Sequence, residues 1–128
     1  MNIGQAATAS GVSAKMIRHY EENGVIRAPR RTPSNYRSYS ENDVHVLRFI
    51  KRARALGFSM ADIKALLGLW QDRHRSSSAV KRIARTHIEA LERKIAELQA
   101  MARTLEHLAH HCHGDHRPEC PIIEELAK

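Results

Sequence analysis

A long run of regularly spaced apolar residues in the second half of the chain is the feature that most constrains the fold. Apolar side chains recur at alternating steps of four and three residues, at Ala84, Ile88, Leu91, Ile95, Leu98, Ala102, Leu105, Ala109 and Cys112. This heptad pattern lasts for about four repeats and predicts one continuous helix with an apolar stripe, roughly 40 Å long. The rest of a 128-residue chain is too small to cover such a stripe. A second copy of the chain is therefore the expected partner, and a helix folded back on its own domain is the alternative.

The charge of the chain is concentrated before this helix. Residues 1–75 carry 13 basic and 6 acidic side chains and residues 76–128 carry eight of each, so the first part holds the whole net charge of +7. A basic segment joined to an electrically neutral helix favours an anionic partner. Nucleic acid fits better than a membrane, because aromatic residues make up only 5% of the chain and no basic helix has a lipid-facing stripe. Solubility alone is the other explanation for such a charge.

The basic part contains the short elements of a winged helix-turn-helix. A helix around residues 3–9 and a second helix over residues 14–22 are joined by a tight turn that contains Gly11. Residues 29–39 include two prolines and have no helical period, and their alternating end predicts a small two-stranded wing.

Two further helices are expected to complete the core of this basic part. Ser40 and Ser59 each stand three residues before an aspartate, which is the spacing of a capping box and predicts where each helix begins. The apolar rows of the two helices are Val44, Leu47, Ile50 and Ala53, and then Ile63, Leu66, Leu67 and Trp70.

Basic and tyrosine side chains cluster on the second helix, on the wing and on the helix that follows it. They are Lys15, Arg18, His19, Arg30, Arg31, Tyr36, Arg37 and Arg54. The planar fork of arginine binds phosphates or the edge of a guanine, and tyrosine hydrogen-bonds phosphate oxygens. Each of these residues alone is more often an ordinary solvated one. Their concentration on a winged helix-turn-helix predicts contact with double-stranded DNA.

The two cysteines of the chain flank a seven-residue loop after the long helix. No signal peptide or membrane span is recognisable in the sequence, so a cytoplasmic protein with reduced thiols is expected. Cys120 precedes Pro121, a favoured first residue of a helix, which predicts a short helix through Leu126 whose positive end favours a thiolate. Soft thiolates select soft metals, and only two ligands suit a monovalent ion. Cys112 and Cys120 therefore predict a site for a soft monovalent ion such as Cu(I), Ag(I) or Au(I).

The surroundings of the cysteines leave other interpretations open. His110, His111, His113 and His116 are good ligands for Zn(II), Co(II) and Cu(II), although a buried pair of thiolates leaves them outside as solvated or secondary ligands. A reversible disulfide would make the pair a redox sensor. A metal-buffering protein with a basic head for solubility is a third alternative. The sequence has no phosphate-binding loop, nucleophile elbow or zinc-protease motif, so an enzyme is not expected.

These motifs together resemble the MerR-type transcription regulators. The resemblance rests on residues 3–7, 11–21, 36–39 and 54–59 and extends across essentially the whole chain. It implies a mostly α-helical fold in which the long helix forms an antiparallel coiled coil. Combined with the patterns above, it predicts a winged helix-turn-helix DNA-binding domain at 1–75, a dimerisation helix at 76–111 and a metal-binding loop with a short C-terminal helix at 112–128.

The resemblance also implies a mechanism and an effector. A homodimer of this family binds an over-long promoter spacer, and effector binding untwists and bends the DNA so that RNA polymerase can use the promoter. Divalent-metal members have a cysteine at the start of the long helix, where this chain has Ser76, Ser77 and Ser78. Ser77 matches the serine of the copper-responsive CueR-like branch, so the resemblance implies Cu(I) as the effector, with Ag(I) and Au(I) as alternatives.

Overall fold

The structure, a computed structural model of the chain, describes residues 1–72, 74–116 and 118–128. Within these residues, the helices and strands are α1 (Ile3–Ser10), α2 (Ala14–Glu22), β1 (Arg30–Arg31), β2 (Arg37–Ser38), α3 (Glu41–Ala55), α4 (Met60–Gln71), α5 (Ser77–His111) and α6 (Pro121–Leu126). The expected mostly helical fold, with a small wing and one long helix, is confirmed. The chain divides into two compact units, Met1–Ile83 and Ala84–Lys128.

Local caps define the first two helices. The side chain of Asn2 accepts a hydrogen bond from the Gln5 amide, and the Gln5 side chain accepts one from the Asn2 amide, at 2.8 and 2.9 Å. Gly11 ends α1 in the left-handed region, at a φ of 75°, which a residue without Cβ adopts at no steric cost. The Ser13 hydroxyl then accepts from the amide of Met16 and begins α2. A tight helix-turn-helix follows from these caps.

The wing is a two-stranded antiparallel hairpin. Arg31 of β1 lies opposite Arg37 of β2. The amide of Thr32 donates to the carbonyl of Tyr36 at 2.7 Å and closes the loop. Within this loop Asn35 has a φ of 65°, a conformation that asparagine tolerates better than most residues. The hairpin backbone therefore fixes the positions from which the side chains at its tip project.

Helices α3 and α4 supply most of the core of the first unit. Ser40 and Asp43 form the reciprocal capping box that begins α3, with distances of 2.8 and 3.1 Å, and the Ser59 hydroxyl accepts from the Asp62 amide at the start of α4. The buried apolar residues are Ala6, Val12, Ile17, Tyr20, Tyr39, Val44, Leu47, Ile50, Ala53, Ile63 and Leu67. Trp70, expected in the apolar row of α4, is partly exposed at the edge of this core, where its ring centre lies 5.3 Å from that of Phe49.

A carboxylate ties the wing to α2. The hydroxyl of buried Tyr39 donates to Glu21, and the Nε of Arg37 lies 3.5 Å from the other carboxylate oxygen of Glu21. Burial, and then the contact with Glu21, raise the pKa of Tyr39 well above its usual value, so the hydroxyl stays a donor. The amino group and carbonyl of Met1 also bond to the backbone of Tyr39. The end of the wing is thereby attached to both ends of the helix-turn-helix.

Helix α5 has a continuous apolar stripe at its surface. None of its residues, all of which the structure describes, is buried in the single chain. The large side chains of the stripe are 41 to 54% exposed, and they are Ile88, Leu91, Ile95, Leu98 and Leu105. Met101, which lies beside the stripe, is 59% exposed. Among the described residues, no helix is both long and apolar enough to cross a membrane.

Candidate nucleic-acid interface and metal site

Helix α2 presents a basic face to solvent. Ile17 and Tyr20 on its other side are buried in the core, which fixes the rotation of the helix about its axis. Lys15, Arg18 and His19 are consequently exposed. These three side chains were predicted from the sequence to contact DNA, and the structure places all of them on the surface.

A cleft joins α2 to the wing. Its volume is about 320 Å³, and it is lined by Arg18, Arg31, Tyr36 and Arg37 together with Asn2, Ile3 and Asn35. Four of the eight residues predicted to contact DNA therefore meet at one place. Tyr36 is 73% exposed at the wing, and Arg31 donates to the carbonyl of Asn35 at 3.2 Å. The cleft combines three guanidinium groups with a phenol, which are the groups that bind phosphates and base edges.

Arg54 lies elsewhere, at the end of α3. Its Nη1 donates to the hydroxyl of Tyr20 at 3.1 Å, so a residue of α2 orients it. The other four candidates are not among the residues that line the cleft, and they are Lys15, His19, Arg30 and Arg54. They extend the basic surface beyond it.

Tyr20 and Glu21 position side chains that are predicted to bind DNA. A search of the sequence for exposed basic residues does not find them. Tyr20 holds Arg54, and Glu21, whose side chain is only 6% exposed, pairs with Arg37. The helical period does predict that both residues face the core, because they follow Ile17 by three and four positions. A carboxylate there needs hydrogen-bond donors from elsewhere in the fold, and the wing supplies them.

The two thiols of the second unit lie close together. The Sγ atoms of Cys112 and Cys120 are 3.9 Å apart, and both residues are partly buried. This separation is well beyond the disulfide bond of about 2.05 Å. Two sulfurs that each bind one ion at about 2.3 Å lie at most about 4.6 Å apart. The donor set and its spacing therefore fit a single soft metal ion.

The start of α6 makes Cys120 more acidic. The backbone amide of Ile123, then that of Ile122 and the thiol of Cys112, lower the pKa of Cys120 below its usual value, against the opposing effects of burial and Glu124. Thiolate, rather than thiol, is the form that binds metals. Proton competition at this sulfur is therefore reduced.

The histidines near the thiols are spread over exposed positions. His113 and His116 are exposed in the loop, of which the structure describes all residues but 117. His107, His110 and His111 lie on the last turns of α5. Among the described residues, no group of three or more histidine, cysteine, aspartate and glutamate side chains is arranged to hold a metal.

Comparison with known proteins identifies the family of this chain. Residues 1–69 match the family described as MerR HTH family regulatory protein, and residues 44–108 match that described as MerR, DNA binding. Heavy metal-dependent transcription regulator 2 of Rhizobium meliloti (strain 1021) is 64% identical over 127 residues, which cover 99% of this chain and 86% of that protein. HTH-type transcriptional regulator CueR of Escherichia coli O157:H7 is 39% identical over 127 residues, covering 99% and 94%.

A solved structure has the same fold over nearly its full length. The transcription regulator PbrR691 from Ralstonia metallidurans CH34, in complex with lead(II), superposes with a TM-score of 0.88 at 30% identity, covering 98% of both chains. Each family match extends over more than half of the present chain. This chain therefore belongs to the MerR family of helix-turn-helix transcriptional regulators.

Proposed function

We propose that this protein is a metal-responsive transcriptional activator, which binds promoter DNA as a homodimer in the cytoplasm and senses Cu(I) through Cys112 and Cys120. The distance of 3.9 Å between the two sulfurs supports the metal site most directly, because both atoms can reach one ion. Membership of the MerR family supports the regulatory role, and the names of the heavy-metal regulator and of CueR support metal sensing.

The choice of a monovalent ion rests on the number and kind of donors. Two sulfurs with no third protein ligand among the described residues suit a two-coordinate soft ion, and Ag(I) and Au(I) share this preference. When bound, such an ion supplies two metal–sulfur bonds that join the end of α5 to the start of α6. Two thiolates with one monovalent cation keep a net charge of −1, which the amides of Ile122 and Ile123 beside Cys120 offset in part.

The proposed DNA contacts come from the basic surface of the first unit. Arg18, with Lys15 and His19, faces the base edges or phosphates in the major groove, as the second helix of a helix-turn-helix does. The wing residues Arg31, Tyr36 and Arg37, and Arg54 of α3, bind phosphates and set the position of the protein on the duplex. Effector binding then changes the twist and bend of the promoter for RNA polymerase, while the protein remains bound.

The apolar stripe of α5 is proposed as the dimer interface, an antiparallel coiled coil. The working division is a DNA-binding domain at 1–75, a dimerisation helix at 76–111 and a metal-binding segment at 112–128. The stripe leaves five large apolar side chains about half exposed in the single chain. Burying the exposed half of each yields roughly half of the 1.5 to 3 kcal/mol gained by covering a fully exposed side chain, and a dimer gains this from both copies.

A charge in the middle of the stripe is expected to separate the copies. Leu98→Asp places a carboxylate in the proposed interface from both chains, whereas Gln99→Asp adds the same charge one position away. Light scattering at micromolar concentration should give the mass of one 14.5 kDa chain for the first variant and of two chains for the second and for the natural protein. Equal masses for the two variants would contradict the coiled coil.

The effector is tested by transcription in vitro from the target promoter. Cu(I) and Ag(I) should increase transcript, and Zn(II), Co(II) and peroxide should not. Two thiols 3.9 Å apart are also close enough for oxidation to join them in a disulfide, so a thiol redox switch is the alternative, for which peroxide alone would activate. Activation by Zn(II) or Co(II) alone would overturn the two-coordinate argument. A metal-buffering protein would bind the promoter fragment no more tightly than an unrelated duplex of the same length, at every salt concentration.

A further inference from the structure

Two histidines stand one helical turn apart near the end of α5, outside the thiol pair. His107 and His111 are four residues apart and therefore lie on the same side of the helix, and both are exposed. Histidines at this spacing on one helix face are the pair that binds zinc in metalloprotease helices. We infer that His107 and His111 form a second metal site, which binds a divalent cation of the zinc type.

The two rings already lie close together, in a T-shaped contact. Their centres are 4.4 Å apart and their planes are inclined by 73°. In the tetrahedral geometry of zinc, with zinc–nitrogen bonds of about 2.1 Å, two imidazoles that share one ion have ring centres about 5 Å apart. Binding an ion therefore requires the rings to turn and to separate by roughly 1 Å, which exposed side chains on a helix surface can do by changing rotamer. The ring of His110 lies farther from that of His111, with 5.6 Å between the two ring centres.

The nature of the donors separates this site from the thiol pair. Imidazole is a borderline ligand that suits Zn(II), Ni(II) and Cu(II), whereas thiolates select soft ions. With no third protein donor among the described residues, water completes the coordination sphere, and binding is reversible. Around His107 the cleft on α5 is lined by Arg103, Thr104 and Glu125, so one cation and one carboxylate face it from the two helices. The local charge is balanced, and the two rings decide the affinity.

The site is tested in the full chain with Cys112→Ser and Cys120→Ser, so that thiolates do not compete for Zn(II). Calorimetric titration should give one Zn(II) per chain, and NMR should show shifts of the His107 and His111 ring signals. Adding His107→Gln, which keeps helix propensity, should lower the association constant at least about tenfold, the smallest effect usual for losing a partner of a metal site. The matched control is His45→Gln, an exposed histidine on α3.

Each outcome decides the inference. Loss of binding in His107→Gln and in His111→Gln, with His45→Gln unchanged, supports it. No Zn(II) binding, equal binding by all variants, or shifts confined to His113 and His116 would overturn it. Because this background lacks both thiols, failure here leaves the proposed Cu(I) response unaffected, and that response is measured separately.

Discussion

A Cys120→Ser protein is expected to bind promoter DNA like the natural chain and to lose activation by Cu(I). Serine keeps the size of the side chain but removes one of the two sulfurs, and a single thiolate at Cys112 cannot hold the ion in the same way. Loss of an outer partner alone typically costs 10-fold to 100-fold in metal affinity, so loss of a ligand should cost more than about 100-fold. Competition with a Cu(I) chelator measures the affinity, and transcription in vitro measures the response.

The matched control for this variant lies in the same loop. His116→Ser removes an exposed imidazole and keeps both sulfurs. It should retain Cu(I) affinity within a few-fold and should remain activated. If Cys120→Ser still responded to Cu(I), or if His116→Ser abolished the response, the assignment of the site to the two thiols would be wrong.

An Arg18→Ala protein is expected to bind promoter DNA much more weakly. Arg18 lines the cleft with three wing residues, where a phosphate or a guanine edge can be gripped from α2 and from the wing at once. A bidentate arginine contact to a base is worth about 1 to 3 kcal/mol, which corresponds to about 5-fold to 150-fold in the dissociation constant. If the contact is to a phosphate, the slope of log affinity against log salt should fall by about 0.9.

Lys64→Ala is the control for the loss of one positive charge. Lys64 is exposed on α4, in the same compact unit but outside the cleft. Fluorescence anisotropy with a labelled promoter fragment, over a series of salt concentrations, separates a specific contact from net charge. Equal weakening by Arg18→Ala and Lys64→Ala would mean that the cleft has no special role in binding DNA.

The elements of this fold that follow from local sequence were predictable. Alternating steps of four and three residues predict α5, and the serine and aspartate of Ser40 and Asp43 predict where α3 begins, because both signals depend on neighbouring residues. The ties between elements join distant residues. Glu21 and Tyr39 are 18 positions apart, and Tyr20 and Arg54 are 34 apart. Only the packing of the core brings such pairs together, so a local pattern contains no direct signal for them.

The candidate site divides in the same way. The loop between the cysteines is long enough for both sulfurs to approach one ion, and Pro121 indicates a helix start beside Cys120, so the sequence suggested both features. The direction of the amides of Ile122 and Ile123 depends on the backbone of α6, and the ring pair of His107 and His111 depends on side-chain rotamers. The amides determine how strongly protons compete with a metal at Cys120, and the ring pair provides a second set of donors. Both features are visible only in the three-dimensional structure.

The coordination of the effector ion tests the central claim most directly. X-ray absorption at the copper edge, on the full chain loaded with one Cu(I) per chain under anaerobic conditions, counts and identifies the atoms bound to the metal. If Cys112 and Cys120 are the whole ligand set, the copper ion should have two sulfur neighbours and no nitrogen neighbour. A shell with three or more ligands, or one that contains imidazole nitrogen, would contradict sensing by the two thiolates alone.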